Sequence, residues 1–172
     1  MEAHSKQRTA VAALVLSAAG FLGIVQHEGY TDKAVIPTEG DRPTVGFGST
    51  FHEDGAPVKM GDTTTPVRAL MKAKAHIDKE EAKFRASLPG VKLYQAEYDL
   101  YLDWTYQFGT GNWAKSAMRT HLLAGEYAQA CKALLRYRFA GGYDCSTPGN
   151  RRCYGVWTRQ LKRYNTCMEA QT

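Results

Sequence analysis

No CxxC pair occurs in the 172 residues, no cysteine precedes position 131, and no histidine lies among the last 50 residues, where nearly every other zinc ligand would have to sit. Zinc sites need such ligands at set spacings, so a Cys/His centre is only the alternative to disulfides for the four cysteines. The five histidines, at 4, 27, 52, 76 and 121, show no metal-ligand spacing, and neither a metal nor a cofactor is expected. A Ser/His/Asp order, a phosphate-binding glycine loop, an internal repeat and a low-complexity linker are also missing. Charge of one sign is nowhere massed: 22 Lys and Arg stand against 17 Asp and Glu, and the net +5 is spread along the chain. That excludes a dedicated nucleic-acid arm, and no nucleic-acid partner is expected. The mild positive excess speeds encounter with an anionic surface or polymer without choosing among them. With 6 Pro, 16 Gly and 11% aromatic residues, the collagen-like and disordered classes fall away. A chain of this length that is 44% hydrophobic makes one globular domain with a real core.

What the sequence does have begins with residues 9–26, TAVAALVLSAAGFLGIVQ, which carry no charge and follow Lys6 and Arg8. A cleaved signal peptide has an apolar stretch of roughly 7–15 residues, and a spanning helix needs about 20; the run falls between them. Five alanines with Ser17, Gly20 and Gly23 make it weakly held by lipid. Three readings stand: a core helix, a cleaved signal peptide, and an uncleaved export segment that leaves the bilayer slowly. The four cysteines, at 131, 145, 153 and 167, are even in number, which in an exported chain points to disulfides. Cys145 with Cys153 would close the polar loop 146–152, and Cys131 with Cys167 would tie two C-terminal helices; four cysteines allow three pairings.

The spacing of glycine and proline between 28 and 51 predicts a β-hairpin region, with 58–60 as a third short strand. Helices follow. Thr63, Thr64 or Thr65 caps one that begins at Pro66 and runs to Leu88, where Pro89 and Gly90 stop it. Ala96, Leu100, Trp104 and Phe108, with Tyr101 beside them, mark a buried central helix ended by Gly109. Shorter helices are expected over 113–123, 127–137 and 154–166. The class is α+β with helix dominant.

Glu28-Gly29 at the end of the apolar run, a short hairpin, and then Pro43-Thr44-Val45-Gly46-Phe47-Gly48 form one ordered set of motifs. Phe108-Gly109-Thr110-Gly111-Asn112-Trp113, Arg136-Tyr137 with Ala140-Gly141-Gly142, and Gly155-Val156-Trp157-Thr158-Arg159 extend it in order. This set resembles the phage lysozymes of glycoside hydrolase family 24, and it covers nearly everything after Gln26. The resemblance implies a lysozyme-like fold and an endolysin that hydrolyses the β-1,4 bond between N-acetylmuramic acid and N-acetylglucosamine in peptidoglycan. Glu28 then resembles the general acid, kept protonated by desolvation at the apolar helix end, and Thr44 the threonine that helps hold the attacking water. Gly46, Gly48, Gln107, Asn112 and Thr120 are the expected substrate contacts. Gly46 and Gly48 also have a plain structural reading, the relief of backbone crowding.

The chain departs from the family at the second carboxylate. Counting forward from Glu28 reaches Pro37 and counting back from Thr44 reaches Thr38, as if the hairpin were one residue longer. Asp41, three residues before Thr44, is the chosen partner; it is equally at home as a turn residue. Glu39, Thr38 or no second group at all are the other choices, the last being the chemistry of a lytic transglycosylase. An inactive wall-binding module and a membrane-active agent are the competing functions. Arg151 and Arg152, between two cysteines, read either as a solvated loop or as a contact for the anionic wall. The resemblance extends to signal-anchor-release endolysins. It divides the chain into an export helix over 1–26 and a catalytic domain over 27–172. A monomer is then expected in the periplasm, first tethered to the inner membrane through 9–26 and then released.

Overall fold

The computed structural model describes residues 7–37 and 39–172. They fall into two compact units, Ser17–Ala82 and the rest, Lys83–Thr172 with the segment that ends at Leu16. The uncharged run is divided between them instead of forming one helix. Thr9–Ala10 is a short strand, β1, Val11–Ala13 is one turn of 3-10 helix, and Leu14 is extended. Helix α1, Ala18–Glu28, starts only where the Ser17 side chain accepts the Gly20 N–H at 3.0 Å, the hydrogen bond of a helix N-cap. Among the described residues no helix is long and apolar enough to cross a membrane.

In the unit Ser17–Ala82, α1 buries Ile24 and Val25 and ends at Gly29, whose φ of +70° suits glycine. Strand β2 (Thr31–Val35) pairs antiparallel with β3 (Thr44–Gly46), Thr31 opposite Gly46 and Val35 opposite Thr44. Four residue steps on β2 thus oppose two on β3, so β2 bulges away from its partner. The bulge turns its other edge to residues 62–64: the Ala34 N–H donates to the Asp62 carbonyl at 2.8 Å, and the Thr64 N–H to the Asp32 carbonyl at 2.9 Å. The third member of the sheet is therefore this stretch and not 58–60, because Val58 leaves the sheet to plug a small core with Ala34 and Val45. Helix α2 (Pro66–Ala86) starts at the expected proline, with Thr65 Oγ1 accepting the Arg68 N–H at 3.3 Å. Its residues Ala69, Ala73 and Ile77, four apart, are buried.

In the other unit, β4 (Lys92–Leu93) pairs with β1, Thr9 opposite Leu93. Helix α3 (Gln95–Phe108) is the buried centre, with Tyr98, Leu100, Tyr101, Leu102, Trp104 and Thr105 all buried, and Gly109 ends it as expected. Ala96 is exposed, because the buried face is turned toward Glu97 and Tyr98. The Trp104 ring lies 4.7 Å from Phe108 and 4.8 Å from Tyr137, and Phe84 lies 4.9 Å from Trp113. The helix expected over 113–123 is two, α4 (Thr110–Ala114) and α5 (Ala117–Leu123), split where the Ser116 hydroxyl accepts the Arg119 N–H at 3.1 Å. Helix α6 (Tyr127–Ala133) is followed by a 3-10 turn, a hairpin of β5 (Phe139–Ala140) and β6 (Tyr143–Asp144), and helix α7 (Tyr154–Glu169). Both disulfides are those named above: Cys131–Cys167 joins α6 to α7 and Cys145–Cys153 closes the loop after β6.

Two ion-pair clusters lock this unit. Asp103 receives Arg163 at 2.6 Å and is also paired with Arg159; against the opposing effect of burial, the two guanidiniums hold its carboxyl below the ordinary carboxylate range. Arg8 meets the fully buried Glu97 through two nitrogens, each at 3.1 Å, and lies between the rings of Tyr94 and Tyr127.

Candidate active site

Glu28 is the last residue of α1, where Gly29 turns the chain into β2. It is exposed, as are Gln26 and His27, because α1 buries its apolar residues one turn earlier. The next functional candidates sit on the hairpin that follows directly. Thr44 opens β3 opposite Val35, and its hydroxyl donates to the Val35 carbonyl at 3.4 Å. With its proton committed there, the oxygen is left as an acceptor for a water hydrogen. Asp41 and Glu39 are exposed in the connection between β2 and β3, beside Gly40 with φ +87°. Thr38 lies outside the described residues.

Gly46 and Gly48 differ in what requires them. A Cβ on Gly46 would meet the Cβ of Ala69 at 2.9 Å, so its φ of +69° and the close approach of α2 both demand glycine. Gly48, φ +75°, faces open space and turns the chain between Val45 and Ser49. Beside them the Tyr30 and Phe47 rings lie 5.4 Å apart.

Gln107, Asn112 and Thr120 belong to the other unit. The Gln107 side-chain oxygen is buried and has no hydrogen-bond partner among the described residues. Asn112 donates from Nδ2 to the Phe108 carbonyl at 2.7 Å, and Thr120 from Oγ1 to the Ser116 carbonyl at 3.2 Å. The Thr120 hydroxyl proton is thus spent within its own helix, while Asn112 keeps a second N–H and its side-chain oxygen.

The sequence reading missed a small cavity in the unit Ser17–Ala82, lined by Ser49, His52, Glu53, Thr64, Arg68 and Lys72 among others. The Lys72 ammonium nitrogen is buried without a hydrogen-bond partner among the described residues, and burial pushes its pKa down. His52 Nε2 lies 2.7 Å from Asp62; the Lys59 N–H and His52 together hold the Asp62 carboxyl below its usual range. One signal pointed at Lys72: it sits between Ala69 and Ala73 on the buried stripe of α2.

The phage lysozyme family model matches residues 25–169, which include Glu28, the hairpin and both disulfides. Three solved structures share the fold. The endolysin of Escherichia coli O157:H7 phage FAHEc1 is 22% identical with a TM-score of 0.75, over 94% of this chain and 96% of that one. A P22 lysozyme variant is 24% identical with a TM-score of 0.74, over 90% and 99%. The muramidase domain of SpmX from Asticaccaulis excentricus is 16% identical with a TM-score of 0.71, over 90% and 97%. Among curated protein sequences none is matched by the chain. The α+β architecture, mostly helical with small sheets, is thus lysozyme-like, and the chain belongs to the phage lysozyme family as a peptidoglycan-lysing glycoside hydrolase of the muramidase type.

Proposed function

We propose that the chain is an endolysin that cleaves the β-1,4 bond between N-acetylmuramic acid and N-acetylglucosamine, with Glu28 as general acid. The observation that carries this is the placement of Glu28 at the junction of α1 and the hairpin, with the hydroxyl of Thr44 on the facing strand tied to the Val35 carbonyl. Glycoside cleavage needs one carboxylic acid at the leaving oxygen and a second group that attacks or orients water on the opposite sugar face. Thr44 Oγ1, already donating, accepts a hydrogen bond from that water, and Asp41 as general base takes its other proton as the oxygen attacks. Water therefore attacks C1, the glycosidic C–O bond breaks, and the leaving oxygen takes the Glu28 proton. Digestion of purified peptidoglycan, read by mass spectrometry, tests this. The parent should release reducing muramic ends, and Glu28→Gln should release none. Products lighter by one water would instead assign the anhydro route of a transglycosylase.

The same reading extends to export: the chain is held at the inner membrane through residues 9–26 and acts in the periplasm after release. What supports it is that the uncharged run supplies two separate parts of the fold, Val11 and Leu14 to one core and α1, which carries Glu28, to the other unit. While lipid holds the run, neither part can form, so membrane and fold compete for the same residues. Replacing Gly20 and Gly23 with Leu should keep the chain in the membrane fraction and delay lysis. A soluble double variant that lyses on schedule would sink the idea.

A further inference from the structure

We propose that the β5–β6 hairpin and the disulfide-closed loop after it form a carboxylate-binding site for the peptide stems of peptidoglycan, with Arg152 seated on Tyr143 as the recognising group. This rests on peptidoglycan being the substrate and concerns only the unit that contains α3. Gly141 and Gly142, φ +56° and +82°, make the two-residue turn. The register sets Phe139 opposite Asp144 and Ala140 opposite Tyr143, so Tyr143 projects from the face opposite Asp144. The Arg152 guanidinium lies 4.6 Å from the Tyr143 ring centroid, and its Nη1 donates to the Tyr143 hydroxyl. A guanidinium has five N–H donors in a planar fork; one is spent on Tyr143, which holds the group beside the ring and leaves the others free to bind. Both residues are exposed.

The loop buries nothing: every residue of 146–152 is exposed or half-buried. Cys145–Cys153 closes it. Asn150 brackets it, its Oδ1 accepting the N–H groups of Arg152 at 2.8 Å and Cys153 at 3.2 Å, its Nδ2 donating to the Asp144 carbonyl at 2.9 Å. Asp144 beside it is engaged by its own unit, accepting from Ser146 through N at 3.0 Å and Oγ at 2.6 Å and pairing with Arg138 at 3.2 Å. Arg151 stands exposed beside Arg152. A rigid, cationic, solvent-facing fork with no core role matches a planar carboxylate bound through two parallel hydrogen bonds. In peptidoglycan such carboxylates are carried by the stems.

The test compares kcat/KM on stem-bearing glycan with that on the same glycan stripped of stems by an amidase. Arg152→Ala should lower kcat/KM on stem-bearing glycan about tenfold through KM, and the preference for it over stripped glycan should fall to near one. Arg152→Lys should recover little, because a lysine keeps the charge and loses the fork. Replacing Cys145 and Cys153 together by Ser should weaken the same preference while helical content is retained. Equal loss on both glycans, full recovery by Arg152→Lys, or an unchanged preference would overturn the site. Were the parent to cleave neither glycan, the cleavage reading would fall by itself. Co-sedimentation with stem-bearing and stripped sacculi would then read the same preference by binding, with the same outcomes.

Discussion

Gly46 and Gly48 share a left-handed backbone but not a neighbourhood, and a methyl group separates the two. At Gly46 it would add a 2.9 Å contact with Ala69 to the cost of a positive φ; strain and overpacking together give about 3 kcal/mol. At Gly48 only the backbone cost remains, about 1 kcal/mol. Urea unfolding of Gly46→Ala and Gly48→Ala should rank them in that order. Gly46 therefore carries a packing duty against α2 that Gly48 does not. Thr44 shows the opposite case: its hydrogen bond to Val35 is weak by length, and the acceptor it leaves open is what a water-holding group requires.

Among the elements, the one whose placement depends most on distant residues is β1. Two backbone-paired residues cannot hold a strand in place, and what fixes it is Arg8, just before it, clamped on Glu97 and between Tyr94 and Tyr127. Gln171 completes the clamp, accepting from Arg8 at 2.7 Å and donating to Glu97 at 2.7 Å. Arg8→Gln should therefore loosen the segment without unfolding the unit. Hydrogen exchange should show protection lost from residues 9–14 and from β4, while α3 stays protected. Equal loss in α3 would mean that the clamp supports the whole unit. Under the proposed tether, the same variant should partition further into lipid vesicles, since docking on Glu97 then competes with lipid.

For the whole molecule, acid is the condition to which the ion pairs respond. Asp103 and Asp62 both titrate below the ordinary carboxylate value in the folded state. The folded chain therefore binds fewer protons than the unfolded chain between those lowered values and 3.8. Stability from this source is full above about pH 5 and is lost as the pH falls through that window. Thermal melts should show this slope flattened in Asp103→Asn, and the variant should also lose about 3–5 kcal/mol at neutral pH because Arg163 is left buried without its anion. Sequence alone determined the features set by neighbours along the chain. These were the Pro66 start of α2, the Gly109 stop of α3 and the ordered motifs around Glu28, each a matter of local capping, turn chemistry or spacing. Tertiary structure decided what a uniform stretch or a long-range partner leaves open. Residues 9–26 look alike in composition, yet Ser17 and the edge of β4 divide them; residues 62–64 take the strand position expected of 58–60 because the bulge in β2 exposes its edge there. Arg8 and Glu97 are 89 positions apart, and only the folded chain brings a buried carboxylate to the cation that makes its burial tolerable.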